Sequence, residues 1–385
     1  MKRKNGEGTW GEKNINGIKY KFFRDPSGHY TYGKTIKEVN EKIENKKKHS
    51  NITAKSKTLS FKEYSLEWLY KSKSKKIKQQ TYDNYELLLE TSLGKISDMN
   101  VKSLNDDVIQ SWLNDMADNY SLGTIRKIWS IVRQCIKYGA TRNELPKINL
   151  ELIYVPSEEN VMHKRKSVEF ATIHDVDALY KEAFRTKDYG YNNFGAANSE
   201  YVYGNNARAI IIIMYTGVRT SELCALKWGN VDMKNKIITI SETHAVIKNR
   251  DSDDTRKSKI INSSPKQYRS RDIPLSGKAY EQFVYFESLN PNHSSNDYVC
   301  ISKNNTPLTR RNIARTLSNM LSRCDANPNL TPHSLRHGFG SILLEKGVEI
   351  KTISELMGHA DIRTTYNIYI GITEDQKKKA IEKLD

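Results

Sequence analysis

HSLRHGFGSILLEKGVEIKTISELMGHADIRTTYNIYIGI, residues 333–372, gathers more chemistry than any other span of this chain. It holds three histidines (His333, His337, His359), two arginines (Arg336, Arg363) and two tyrosines (Tyr366, Tyr369). Such a stretch can be a metal site, a helical core with polar edges, or an active site. A zinc site at close helical spacing wants a carboxylate or thiolate partner. His333 and His337 are four apart, but the residues between them are Ser, Leu and Arg, and the arginine would repel a dication. Taken singly, each residue has an ordinary explanation. His333 and Arg336 lie one turn apart and would suit carboxylates on a surface helix. His359 would suit the turn after ELMG.

Two further clusters change the balance. YTGVRTSELCALKW surrounds Arg219, and NSSPKQYRSRDIPLS surrounds Lys266. Alone, Arg219 reads as a salt-bridge partner of Glu222, and Lys266 as a lysine at a hairpin tip. Together the three clusters supply what phosphodiester transfer needs. A planar guanidinium binds the two non-bridging oxygens as a fork and stays charged at any working pH. Preorganised donors stabilise the charge that develops on a pentacoordinate phosphorane. A tyrosine can attack and store the bond as an ester, and a lysine can protonate the departing oxygen. With such a clamp, neither metal nor cofactor is expected.

The charge points the same way. Lys and Arg number 62 against 45 Asp and Glu, a net +17, which suits a polyanionic partner. Residues 1–60 carry 15 Lys/Arg and 6 Asp/Glu, more than half of that excess. The four cysteines (Cys135, Cys224, Cys300, Cys324) show no C-x-x-C spacing, which argues against a zinc finger or a secreted disulfide framework. The N-terminus has no apolar signal-peptide core, and AIIIIMY, the longest apolar run, is too short to span a bilayer. A cytoplasmic, DNA-associated protein is expected, with no membrane partner. AIIIIMY is expected to be the buried face of a core helix.

Along the chain, GTWGEK, KYKFFR and HYTYGK read as aromatic-rich strands, the last two joined by DPSG. Thr35 and Glu38 form a T-x-x-E capping box ahead of a helix. From Leu59 the period becomes helical. Four helices are marked by Phe61–Leu69, Tyr82–Leu89, Val108–Met116 and Ile125–Ile136, the last with Ser121 as its N-cap. The first two flank the lysine-rich KSKSKKIKQQ, a basic edge suited to phosphate. The expected boundaries are 1–50 for a basic DNA-binding module, 51–58 for a linker, 59–150 for the helical unit, 151–168 for a second linker and 169–385 for the domain holding the three clusters. In that domain Thr172 caps a helix, ARAIIIIMYTG is a buried helix continued by SELCALKW, and KIITIS and RDIPLS close a hairpin with a polar tip. The fold class is multidomain α+β.

The three clusters resemble those of the tyrosine recombinases, specifically the integrases of phages and conjugative transposons. TGVRTSEL resembles the first arginine box of that family, PKQYRSRDIPL its hairpin lysine box, and LTPHSLRHGFGSILLEKGVEIKTISELMGHADIRTTYNIYIGI its second box almost end to end. Residues 79–139 are similar to the family's helical core-binding domain. Residues 1–50 look like the small arm-binding domain of lambda-like integrases.

The resemblance implies a mainly helical catalytic domain with a small antiparallel sheet. It implies strand cleavage and rejoining through a 3′-phosphotyrosine and a Holliday junction, integrating or excising a mobile element. Arg219 and Arg336 would hold the scissile phosphate, and Lys266 would be the general acid. His333 and His359 would donate to the phosphorane or help proton transfer, and His337 would pack. The family's nucleophile follows the second-box histidine by ten residues, which selects Tyr369. Tyr366 would then be a packing residue. The implied partners are double-stranded DNA at core and arm sites, a homo-tetramer on that DNA, and an excisionase or host DNA-bending protein. The tail GITEDQKKKAIEKLD is either a short helix docking on a neighbouring protomer or a frayed end. Two other readings stand beside this one: a type IB-like topoisomerase and a non-catalytic DNA-binding regulator.

Overall fold

The computed structural model describes residues 9–15, 18–24, 30–44, 59–164, 169–186, 201–250, 256–264, 270–359, 361–363 and 365–366. The chain divides into two compact units, Met1–Arg165 and Lys166–Asp385.

The first unit opens with three strands, β1 (Thr9–Ile15), β2 (Ile18–Arg24) and β3 (Tyr30–Gly33), in one antiparallel sheet of order β1-β2-β3. The register sets Phe22 opposite Tyr32 and Arg24 opposite Tyr30. Alternation therefore places Phe22, Tyr30 and Tyr32 on one face, where their rings touch. Helix α1 (36–44) covers the other face, its Val39 fully buried over Gly33. The expected cap is half present. The Thr35 hydroxyl accepts from the Glu38 N–H, but the Glu38 carboxylate turns to the Lys34 N–H instead of that of Thr35.

Helices α2 (Phe61–Lys73), α3 (Gln79–Thr91), α4 (Asp106–Ala117) and α5 (Leu122–Thr141) follow. Ser60 and Glu63 form a full capping box on α2, and Asn105 caps α4. Ser121 stands at the N-cap of α5 as expected, but its hydroxyl meets that of Thr124 and makes no cap bond. The apolar stripes meet in one core that includes Phe61, Leu69, Leu89, Ile109, Trp112, Ile128 and Val132. Residues 151–164, read from the sequence as linker, hold to this unit. Tyr154 exchanges two hydrogen bonds with the Gln110 amide, and Ile153 and Val161 are buried.

The second unit is built around α7 (Gly204–Thr216), which follows α6 (Ile173–Ala183). Ala209 to Met214 are buried without a break, so α7 is enclosed on every side rather than along one face. Next come α8 (Thr220–Ala225), β4 (Val231–Asp232), β5 (Ile237–Ile240), β6 (Thr243–Lys248), β7 (Ser258–Ser263) and β8 (Arg271–Pro274). Strand β5 pairs with β4 and β8. Within the expected polar hairpin tip and the segment before it, β6 and β7 form a second, two-stranded sheet. The helix read through SELCALKW stops at Ala225, and a single 3₁₀ turn follows at Trp228–Asn230. The remaining helices are α9 (Gly277–Leu289), α10 (Arg310–Leu321), α11 (Pro332–Glu345) and α12 (Ile350–Met357). Helices α6, α9, α10 and α11 pack on α7. This fixes the end of α7, where Gly217 turns the chain, beside the first turns of α11. Among the described residues, no helix is long and apolar enough to cross a membrane.

Candidate active site

Gly217 ends α7 in the left-handed conformation at φ 64°, and Arg219 follows as the N-cap of α8. Glu222, in the first turn of α8, accepts the Arg219 backbone N–H at 2.9 Å and its Nη1 at 2.7 Å. Thr331 caps α11 and Pro332 starts it, so His333, Arg336 and His337 fall within its first turns. Arg336 is 1 % exposed. Its Nη1 donates to the Gly217 carbonyl at 2.5 Å, and its Nη2 donates to the Met357 carbonyl. Helix α12 ends at Gly358, also left-handed at φ 62°, and His359 comes next. Arg219 Nη2 donates to the Gly358 carbonyl at 3.3 Å.

Three segments distant in sequence thus meet, and Arg219, Arg336 and His359 are brought together. His333 is exposed, and its ring lies edge-on to that of His337, with centroids 4.2 Å apart. His337 is buried and also touches Phe170, in keeping with packing. Lys266 and Tyr369 lie outside the described residues.

Glu222 is the centre of the charge arrangement, at 2 % side-chain exposure. Arg271, at the start of β8, grips both its oxygens, Nη2 to Oε2 at 2.6 Å and Nη1 to Oε1 at 3.2 Å. Arg336 Nη1 is 4.0 Å from Oε2. Burial alone would push the Glu222 carboxyl up. The hydrogen bond and charge of Arg271, then the charges of Arg219 and Arg336, outweigh it and hold the group at about 2. His359 is pushed down to about 4 by burial and then by Arg336 and Arg219. Its Nδ1 lies 2.7 Å from the hydroxyl of the fully buried Thr365. If that hydroxyl donates, Nε2 carries the imidazole proton and is a donor; in the other tautomer Nε2 accepts. His337 is likewise pushed down to about 4, by burial and then by His333.

Chemically the arrangement suits an anion. It presents arginines held in place by a buried carboxylate and by backbone carbonyls, with neutral imidazoles alongside. Arg219 has 30 % side-chain exposure, the most accessible of the three guanidiniums. Among the described residues, no group of three His, Cys, Asp or Glu side chains could hold a metal ion.

Two residues carry more of the site than the sequence reading assigned them. Glu222 was expected only as a salt-bridge partner of Arg219, and Arg271 was assigned no role of its own. Their spacing from Arg219 holds no signal of the fork that joins them. The expectation for Tyr366 is corrected. Its ring is 40 % exposed, because the inward position of that segment belongs to its neighbour Thr365.

Comparison with known proteins gives a consistent picture. Residues 194–376 match the phage integrase family. The chain is 24 % identical over 360 residues to the integrase of Staphylococcus phage L54a, covering 90 % of this chain and 97 % of that protein. Among solved structures, the Tn1549 transposon integrase in complex with transposon right end DNA superposes with a TM-score of 0.66 at 19 % identity, over 85 % of this chain and 99 % of that one. A lambda integrase tetramer bound to a Holliday junction superposes with a TM-score of 0.56 at 16 % identity, over 95 % and 96 %. At these identities the two structures speak for the fold.

Proposed function

We propose that this chain is a member of the phage integrase family of tyrosine recombinases and the site-specific recombinase of a mobile element, working on paired DNA sites as a homo-tetramer. The observation that carries the proposal is the convergence of Arg219 and Arg336 on the buried Glu222, with both guanidiniums also holding the end of α12 that leads into His359.

In the proposed reaction the Tyr369 phenol loses its proton and its oxygen attacks the scissile phosphorus. The bond to the 5′ oxygen breaks, and Lys266 protonates that oxygen as it leaves. The DNA 3′ end is then esterified to the tyrosine. Attack by a 5′ hydroxyl from the partner duplex reverses the step on a new strand, and two such exchanges form and resolve a Holliday junction. One phosphodiester is exchanged for another, so no ATP is consumed. Arg219 and Arg336 hold the non-bridging oxygens, and their geometry is set before DNA arrives by Glu222 and by the Gly217, Met357 and Gly358 carbonyls. Such preorganisation favours the phosphorane over the ground state. His359 and His333 donate to the phosphorane or assist proton transfer.

The basic N-terminal module, with the ring face of Phe22, Tyr30 and Tyr32 on its sheet, supports a second DNA contact at arm-type sites. An excisionase or a DNA-bending host protein would complete the assembly. A type IB-like topoisomerase shares the chemistry but has no use for a second specific site. A supercoiled plasmid lacking any attachment site separates the two. It should stay supercoiled with this protein, and rapid relaxation would favour the topoisomerase. A regulator without catalysis would leave no covalent adduct on any DNA.

A further inference from the structure

We infer that Arg271 is a positioning residue for strand cleavage: by gripping Glu222 and the end of α12 together, it fixes Arg219 and His359 in the geometry the reaction uses. The inference rests on the recombinase reading above.

Three consecutive carbonyls end α12, those of Leu356, Met357 and Gly358. Each accepts from a different arginine. Arg271 Nε donates to Leu356 at 2.8 Å, Arg336 Nη2 to Met357, and Arg219 Nη2 to Gly358 at 3.3 Å. This is the negative end of the helix dipole, where guanidiniums are favoured. The same three arginines surround Glu222. Arg271 alone spends its whole fork on the carboxylate and its Nε on the helix end. The chain then turns directly over it. A Cβ on Gly358 would lie 2.8 Å from Arg271 Nη1 and 2.9 Å from its Cδ. His359 is the next residue. With Nε, Nη1 and Nη2 all committed to the Leu356 carbonyl and the Glu222 carboxylate, Arg271 acts through its neighbours rather than on DNA.

The arrangement also explains the geometry of Arg219. With both Glu222 oxygens held by Arg271, the Arg219 guanidinium meets the carboxylate through Nη1 alone. Without Arg271, Arg219 would be drawn into its own two-pronged pair with Glu222 and away from phosphate. The Leu356 carbonyl would lose its guanidinium donor, and the end of α12 would loosen.

Among the described residues, the charged groups facing Glu222 are Arg219 on its own element, Arg271 on β8 and Arg336 on α11. Removing Arg271 takes away the strongest influence holding the carboxyl down and leaves its burial in place. The pH dependence of cleavage therefore reports the role, which mere scaffolding would not alter.

The test uses the full chain and a nicked duplex spanning the joined ends of the element that carries the gene. Single-turnover adduct formation and DNA affinity are measured from pH 5 to 8.5 for wild type, Arg271→Gln and Arg271→Lys. Arg271→Gln should cleave about 10²-fold more slowly, with affinity changed less than about threefold, and should lose rate toward acid pH where wild type is flat. Arg271→Lys keeps the charge but not the fork. It should stay slow yet keep the wild-type pH profile. Cleavage by Arg271→Gln at the wild-type rate would overturn the inference, as would equal losses of rate and affinity with an unchanged pH profile. Hydrogen exchange on the DNA-free protein keeps the two readings apart. Arg271→Gln should speed exchange at residues 354–359 and leave α7 unchanged, and unaltered exchange at 354–359 would also overturn it. A wild type that forms no adduct would count against the recombinase reading alone, because the exchange result still decides the role of Arg271.

Discussion

Replacing Glu222 by Gln keeps the shape of the side chain and removes the charge that three arginines share. The Glu222 carboxyl stands at about 2 instead of its ordinary 4.5. By linkage, that difference amounts to about 3 kcal/mol of stability at neutral pH. An independent route gives a similar figure, since breaking a buried ion pair from one side costs roughly 3–5 kcal/mol. The folded-state value is depressed, so the contribution is fully present above about pH 4.5 and is lost as pH falls toward 2. Trp228 is the only tryptophan after residue 165. Fluorotryptophan labelling and ¹⁹F NMR in a urea series therefore read the unfolding of the second unit alone. Glu222→Gln should lower its stability by about 3 kcal/mol, by the same amount at every pH from 5 to 8. The penalty should shrink only at the most acid pH at which the unit still folds. A penalty under about 1 kcal/mol, or one that changes between pH 5 and 8, would refute the reasoning. It would mean that Glu222 is not held ionised by the arginines.

Other consequences follow from the same geometry. Arg336→Lys keeps the charge but loses the fork that reaches the Gly217 and Met357 carbonyls. Cleavage should drop roughly 10²–10³-fold in a single-turnover assay, with filter binding to DNA nearly unchanged. Gly217→Ala places a Cβ 2.4 Å from the Phe339 ring at a positive φ. The second unit should lose about 2–4 kcal/mol in the same ¹⁹F-monitored urea series. DNA affinity should fall steeply with salt, each neutralised phosphate adding about −0.9 to the slope of log K against log salt. A nearly flat response in filter binding would contradict a DNA-binding role for a chain of net charge +17.

The sequence makes some of this site legible because local rules and chemistry coincide. Thr331 and Pro332 announce the start of α11, which places His333, Arg336 and His337 within its first turns. Gly217 and Gly358 stop two helices at left-handed turns, next to Arg219 and His359. The apolar stripes of α2 to α5 are regular enough to locate four helices. What stays hidden depends on approach in space. Arg271 and Glu222 are 49 residues apart, and only the approach of the Arg271 guanidinium on β8 to the first turn of α8 shows that one holds the other. The β6–β7 ribbon is obscured by its own composition. Its β7 strand alternates exposed and half-buried positions, so SKIINS reads as a polar tip. Tyr366 shows the limit of residue type as a guide. An aromatic ring suggests packing, but Thr365 takes the buried place because it has a bond to offer His359.

The account turns on which tyrosine becomes attached to DNA. A nicked suicide duplex traps the covalent intermediate by losing the 5′ hydroxyl needed to reverse it. Denaturing electrophoresis then separates the adduct, and peptide mapping locates it. Wild type should carry DNA on Tyr369. Tyr366→Phe should retain most adduct formation, and Tyr369→Phe should bind DNA yet form none. DNA attached to Tyr366, or an adduct that persists in Tyr369→Phe, would contradict the account.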